Sequence, residues 1–485
     1  MVTDVDEVYR LLIDANPWWE DGKVPAELTH EYHRRDYFVL RNEVNSRPIS
    51  AVGGPRQVGK TTLLYQLIEH LLESSASSSR ILFVNFDLPG LTAAAKSPLN
   101  DCLNIYADRV LGKPWRKSRD KVYIFLDEIT KVDNWHRDLK GWFDQKYPIK
   151  FLISSSSLSE LKSGAAASLT GRIATHLLLT WKFVDVLMYQ TDDPRWNDTG
   201  LRLREAFASS VQRNDPRILE RKLREVEGTA TRGRAALRST LDRYFLIDGF
   251  PELLESRDFH RSAARLREYL DLTVANDLSR VYQIRTPQLF YDLLGLLAHE
   301  SGQLISYRNL ADTLHVQERT IVDYLDHLES VFLVAQAQFF SESRAKRIRR
   351  QRKILLANPG LQNALLGRVD RRTLTDSALM GRLAEGIVHD HAKRLVYCLN
   401  PGPEPKAFYW RDRHDREVDV VVRIDDKAVP IEVKYRTDPH HDLDGLNAFL
   451  AAHPAVPFGL VVTRDLIEMG DRKLFLPLSH FLLMV

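Results

Sequence analysis

The sequence predicts an α/β protein of several units: an N-terminal parallel sheet with helices on both faces, a helical middle region, and a second α/β domain at the C-terminal end. Three observations carry that expectation. The chain has 485 residues, and compact domains hold about 100 to 200, so roughly three cores are needed. Between 49 and 153, short β-branched runs alternate with amphipathic helical stretches, the pattern of strand-helix-strand units. After 377, a long helical stretch leads into three β-rich segments, a further helix and another strand.

Taken in order, strands are predicted over 49–53, 81–87, 122–127 and 150–153, and helices over 61–73 and 135–144. The serine tract 74–79 reads as a helix-to-strand loop. From about 201 to 300 the pattern is helical and strongly charged, with a break at Gly249 and Pro251. Ser306 is placed to cap the first of two helices that lead into a strand near Val334, a winged-helix-like order. The expected divisions are 1–195 for the first sheet with a helical N-terminal extension, 196–300 for a helical connector or lid, 301–375 for the winged-helix-like region with a basic segment, and 376–485 for the last domain.

Composition excludes several classes. With 44% hydrophobic, 27% charged and 9% aromatic residues, the chain is neither disordered nor fibrous. It has no run near the 18 or so apolar residues of a membrane span, and its start is acidic where a signal peptide would be basic, so the cytoplasm is expected. Cys102 and Cys398 alone cannot form a disulfide framework or a four-cysteine metal site. A net charge of +3 is too mild to identify a nucleic-acid partner, so any such sign must be local.

The strongest motif is Gly54-Pro55-Arg56-Gln57-Val58-Gly59-Lys60-Thr61, followed by Thr62. It fills the G-x-x-x-x-G-K-[ST] template directly after an apolar strand and directly before a helix. Glycines let backbone N–H groups close around phosphates, Lys60 offers a point charge to the outer phosphates, and the Thr61 hydroxyl is a ligand for Mg²⁺. The positive end of the following helix adds to the attraction. ATP with Mg²⁺ is the expected ligand.

Val122 to Leu126 is an apolar run ending in Asp127 and Glu128. Asp127 is placed to hold the Mg²⁺ shell and Glu128 to polarise an attacking water, so hydrolysis is expected as well as binding. Phe151-Leu152-Ile153 runs into Ser154-Ser155-Ser156, with Ser154 or Ser155 expected to feel the γ phosphate through its hydroxyl.

These motifs, with Asn134-Trp135, Leu169-Thr170-Gly171-Arg172-Ile173, Leu179-Thr180-Trp181-Lys182-Phe183 and Gly249-Phe250-Pro251-Glu252, resemble the AAA-superfamily ATPases of bacteria and archaea that carry a C-terminal domain of unknown function. The resemblance implies that Arg172 reaches a γ phosphate as an arginine finger, in cis or from a neighbouring subunit. The chain departs from that family at Leu179 to Phe183, where Pro-Leu-Ser-Phe is usual, and at Asn358, where an acidic residue is common.

In the last domain, Asp419 and the Glu432-Val433-Lys434 run make a D-x12-E-x-K arrangement on two adjacent strands. Residues two apart on a strand face the same way, so Glu432 and Lys434 should project together, Val433 should enter the core, and pairing should bring Asp419 alongside. Glu385, on the preceding helix, is a third candidate carboxylate. Two or three carboxylates can hold Mg²⁺ or Mn²⁺, and Lys434 can orient water or steady phosphorane charge. The order of elements resembles the restriction-endonuclease-like PD-(D/E)XK superfamily, which implies metal-dependent DNA cleavage or, where chemistry is lost, binding alone. His389, His391, His440 and His441 read as surface or second-layer residues without a role.

Residues 344–353 carry seven basic side chains in ten. Arg344, Lys346, Arg347, Arg349 and Arg350 are therefore the candidate contacts to DNA phosphates. The second helix of the 306–329 pair sets Glu318, Asp323, Asp326 and Glu329 against one Arg319, which disfavours insertion into a DNA groove. The expected function is a Mg-ATPase controlling a nuclease-like domain that acts on DNA; the alternatives are an ATP-dependent switch whose C-terminal domains bind DNA or protein without cleaving, and a partner-remodelling ATPase. An oligomer is compatible with either.

Overall fold

The computed structural model describes residues 3–157, 159–161, 168–229, 233–278, 287–400 and 406–485. The chain divides into two compact units, 1–179 and 180–485. The three stretches expected at 196–300, 301–375 and 376–485 lie together in the second unit.

The first unit is a five-stranded, wholly parallel sheet in the order β2-β3-β4-β1-β5. Its strands are β1 (Ile49–Gly53), β2 (Ile81–Asn85), β3 (Val122–Asp127), β4 (Ile149–Ser155) and β5 (Ile173–Leu177). The helices Lys60–Glu73 and Trp135–Asp144 fall where the periodicity places them. Because all strands run the same way, the C-terminal ends of β1, β3 and β4 share one edge, where an open α/β sheet binds its ligands. β4 lies between β1 and β3, with Val52 opposite Ser154 and Leu126 opposite Ile153. The N-terminal extension covers the outer strand β2: Asn16 accepts from the Phe83 N–H and donates to its carbonyl, and Trp18 and Trp19 donate to Ile81. Those side chains satisfy backbone groups that an exposed edge would leave free to pair with another chain.

The second unit begins with helices, among them Arg195–Arg213, Arg217–Thr229, Arg234–Ile247 and Phe259–Leu272. The Gly249–Pro251 break is a 3₁₀ turn over Pro251–Leu253, and the Trp181 N–H donates to the Gly249 carbonyl. A nine-stranded mixed sheet follows. Its strands are β6 (Gln303–Leu304), β7 (Val334–Phe339), β8 (Lys353–Leu356), β9 (Ala407–Arg411), β10 (Glu417–Ile424), β11 (Lys427–Lys434), β12 (Gly459–Thr463), β13 (Glu468–Gly470) and β14 (Lys473–Pro477). Their order is β13-β14-β12-β11-β10-β9-β7-β8-β6. Residues 303–356 therefore continue the sheet of the C-terminal strands, through parallel pairing of Gln338 and Phe339 with Phe408 and Tyr409. The two predicted helices are Tyr307–Leu314, capped by the Ser306 hydroxyl, and Glu318–Ser330. The long Ser377–Leu399 helix packs on β10.

Asn358, the departure from the acidic residue expected there, caps the Pro359–Leu365 helix and donates its amide to Asp248. Asp248 is buried, and that burial raises its pKa to about 6. A second carboxylate at 358 would meet it with like charge, whereas an amide supplies the donor it needs.

Candidate functional site

The phosphate loop is shaped by two glycines for different reasons. A Cβ on Gly54 would lie 1.9 Å from the Leu178 carbonyl oxygen, so β5 and the loop could not approach with any other residue there. Gly59 has open space around it but φ of +91°, a conformation that L side chains rarely adopt. The loop delivers Lys60 to the helix start, where its ammonium donates to the carbonyls of Gly54 at 3.1 Å and Pro55 at 3.0 Å and lies 3.4 Å from Glu128. Arg56 pairs with Asp87, and Val58 is buried. Arg34, which carries no sequence signal, donates to the carbonyls of Val58 and Leu179 and ties the loop to the end of the unit.

The sheet order then assembles the acidic side. Thr61 donates to Asp127 at 2.8 Å, Ser154 donates to the other Asp127 oxygen, and the Glu128 N–H donates to Ser154 at 3.0 Å. Of the two serines expected as sensors, Ser154 joins this chain of bonds, while Ser155 faces Thr130. Burial, then the neighbouring Glu128, raises Asp127 to about 6. Burial also acts to raise Glu128, but Lys60, Arg56 and the Ser156 N–H outweigh it and hold Glu128 below its ordinary value. One carboxylate is thus kept ionised beside a cation while the other is hydrogen-bonded to two hydroxyls. Thr61 and Asp127 present hard oxygen donors within hydrogen-bond reach of each other, a set that fits Mg²⁺.

Arg172 is not beside this centre within its own unit. Its carbonyl accepts from Ile49, at the N-terminal end of β1, and its guanidinium pairs with Asp144 at 2.9 Å. A strand rises about 3.3 Å per residue, so β1 alone separates it from Gly53 by about 13 Å. That placement does not bring it to the phosphate loop of its own chain.

In the second unit, β10 and β11 form the expected hairpin, with Val420 opposite Ile431. The Val433 N–H donates to Asp419 at 2.8 Å, and Lys434 lies 2.6 Å from Glu432. Which side of β11 is buried differs from expectation: Glu432 is only 4% exposed, while Val433 is half-buried. A bulge in β10 between Val418 and Val421, against β9, turns the strand at Asp419. Among the described residues no group of three or more His, Cys, Asp or Glu side chains is arranged to hold a metal ion. Glu385, Asp419 and Glu432 do not form such a group, and Lys353 lies among the neighbouring carboxylates. Its ammonium, on β8, contacts Glu385, lies 2.6 Å from Glu417 and reaches within 3.9 Å of Asp419. Burial raises Glu385 to about 8 and Glu432 well above its ordinary value, while Lys353, drawn by the carboxylates against its own burial, stays charged.

His389 and His391 are buried, not at the surface, and burial lowers them to about 3 and about 4, which keeps them neutral. His440 and His441 are exposed, as expected. The basic run divides. Arg344–Arg349 is a short helix capped by Ser343, with Ile348 74% exposed, and it presents Arg344, Lys346, Arg347 and Arg349 at the surface with Arg350 following. Arg352 instead turns to Asp326 and Gln336, and Lys353 is buried.

Residues 46–187 match a family model described as an AAA domain. Residues 238–372 and 380–481 match two models described as domains of unknown function, DUF8612 and DUF4143. The chain is similar to an uncharacterized protein of Mycobacterium tuberculosis, 27% identical over 409 residues covering 84% of this chain and 75% of the relative. An uncharacterized protein of Methanocaldococcus jannaschii is 24% identical over 392 residues, covering 79% and 76%. Among solved structures, the Aeropyrum pernix ORC2 protein aligns with 74% of this chain and 98% of its own at 16% identity and a TM-score of 0.37. The first unit is a P-loop ATPase domain of the AAA type. Among the described residues, no helix is long and apolar enough to cross a membrane.

Proposed function

We propose that this chain is a Mg²⁺-dependent ATPase whose nucleotide state controls what its second unit binds, with DNA as the partner. The observation that carries this reading is the continuous contact chain Thr61–Asp127–Ser154–Glu128–Lys60 at the C-terminal edge of the first sheet. Lys60 and the loop amides would hold the phosphates, Thr61 and Asp127 would hold the metal, and Ser154 fixes the orientation of Asp127. Glu128, kept ionised, takes the proton of the attacking water. When bound, Mg²⁺ would supply charge neutralisation at the phosphates. Arg172 serves a neighbouring subunit if it serves any active centre, since its own lies at the other end of β1.

The exposed cations at 344–350 favour a polyanionic backbone as partner. Metal-dependent cleavage by the 376–485 region is the second reading, favoured by the Asp419, Glu432 and Lys434 hairpin and opposed by Lys353 in its midst. The deciding experiment incubates the full chain with supercoiled, linear and branched DNA, with Mg²⁺ or Mn²⁺, with and without ATP. ATP hydrolysis that is lost in Lys60→Ala, with DNA bound in a nucleotide-dependent way but left intact, is the expected result. Cleavage that disappears in Glu432→Ala would replace the switch with a nuclease.

A further inference from the structure

The carboxylates of the C-terminal centre and the cation facing them come from different parts of the second unit. Glu385 lies on the Ser377–Leu399 helix, Glu417 and Asp419 on β10, Glu432 and Lys434 on β11, and Lys353 arrives on β8, beyond β9 and β7 in the sheet. A nuclease-like hairpin implies a divalent ion between Asp419 and Glu432, and the side chains present do not fit one. Mg²⁺ and Ca²⁺ need carboxylate oxygens at about 2.0 to 2.6 Å in the same space. Here the Lys353 ammonium, its side chain 2% exposed, makes those contacts with Glu385 and Glu417 and draws on Asp419, while Lys434 takes one oxygen of Glu432. The other Glu432 oxygen is buried without a hydrogen-bond partner, so acceptor capacity remains in the cluster beyond what the two lysines use. A tethered ammonium also competes on favourable terms, because the chain fixes its local concentration while a free ion must pay for association.

We propose that Lys353 is the built-in counter-cation of this centre, paired with Glu385 and Glu417 and drawing on Asp419, so that the native chain takes no divalent ion beside Asp419. Removing its charge converts the cluster into a divalent-cation site. The proposal is independent of the ATPase reading, and its test needs neither nucleotide nor DNA.

The probe is Mn²⁺, titrated into the nucleotide-free full chain and followed through the electron paramagnetic resonance of the free ion. Wild type and Asp419→Asn are expected to give superimposable curves. Lys353→Gln is expected to gain one equivalent, bound more than about tenfold tighter than any site of the wild type, since a like charge a few ångströms away no longer opposes it. The gain should vanish in Lys353→Gln combined with Asp419→Asn, and Lys353→Arg should behave as wild type. An equivalent present in wild type and missing in Asp419→Asn would overturn the proposal, as would a folded Lys353→Gln that gains nothing. If Lys353→Gln does not fold, the comparison of wild type with Asp419→Asn decides alone.

Discussion

Each unit holds a buried lysine facing carboxylates at strand ends, and the two arrangements have opposite consequences. Lys60 sits at a helix start, donates to two backbone carbonyls and stands 3.4 Å from one carboxylate. Lys353 sits within a sheet and is held by carboxylates from two elements. The first lysine is positioned to meet an incoming anion, and the second has already met its own. Residue type does not separate the two cases; what separates them is that Lys60 donates to two backbone carbonyls and lies 3.4 Å from one carboxylate, whereas Lys353 touches two carboxyl groups directly and nears a third.

The largest loss is expected at Lys60. Lys60→Ala should lower kcat/KM for ATP by about 10²-fold or more, as loss of a preorganised charge usually does. Glu128→Gln should slow turnover by about 10²-fold or more with ATP affinity retained. Steady-state hydrolysis beside nucleotide binding reads both, and an unchanged rate in Glu128→Gln would remove that residue from the chemistry. At the second lysine the loss should appear in stability. Lys353→Ala leaves buried carboxylates unpaired and should cost about 3 to 5 kcal/mol in denaturant unfolding of the second unit, with ATP hydrolysis by the first retained. Ser154→Ala should reduce turnover roughly tenfold, the worth of one hydrogen bond to a charged group.

A pH series sharpens the contrast further. Glu385 binds its proton more tightly in the folded chain than in the unfolded one, because its value is raised from 4.5 to about 8. Its stabilising contribution is therefore whole below about pH 4.5 and is lost as pH rises through about 8. Unfolding midpoints between those limits should fall with pH, and Glu385→Gln should flatten the slope. The smallest effect belongs to Arg172→Ala, whose exposed pair with Asp144 is worth about 0 to 1 kcal/mol. If Arg172 serves a neighbour, mixing Arg172→Ala with Lys60→Ala protein should restore hydrolysis that neither has alone.

Much of the first unit was legible because its signals are local. The strand over Val122–Asp127 and the helix over Trp135–Asp144 coincide with their predicted limits, since an apolar run ending in charge and a periodic stretch after Asn134 are read without knowing the fold. The second unit was less so. Residues 344–353 read as one basic patch, yet the backbone turns inward after Arg350, so that Lys353 is buried while Ile348 faces solvent. Strand alternation places Val433 in the core, but Glu432 is the buried residue there and Val433 is half-buried. The two-residue β6 and three-residue β13 are too short to give a pattern.

The sequence by itself determined the phosphate loop, the acidic strand end and the residues that follow one another along them, because each depends on neighbours within about ten positions. Only the tertiary structure decided that Ser154 rather than Ser155 reaches Asp127, that Arg172 stands at the far end of β1, and that Lys353 joins Glu385, Glu417 and Asp419. Those outcomes follow from strand order and register. They bring together residues 27 to 123 positions apart, and no local pattern encodes which strands become neighbours.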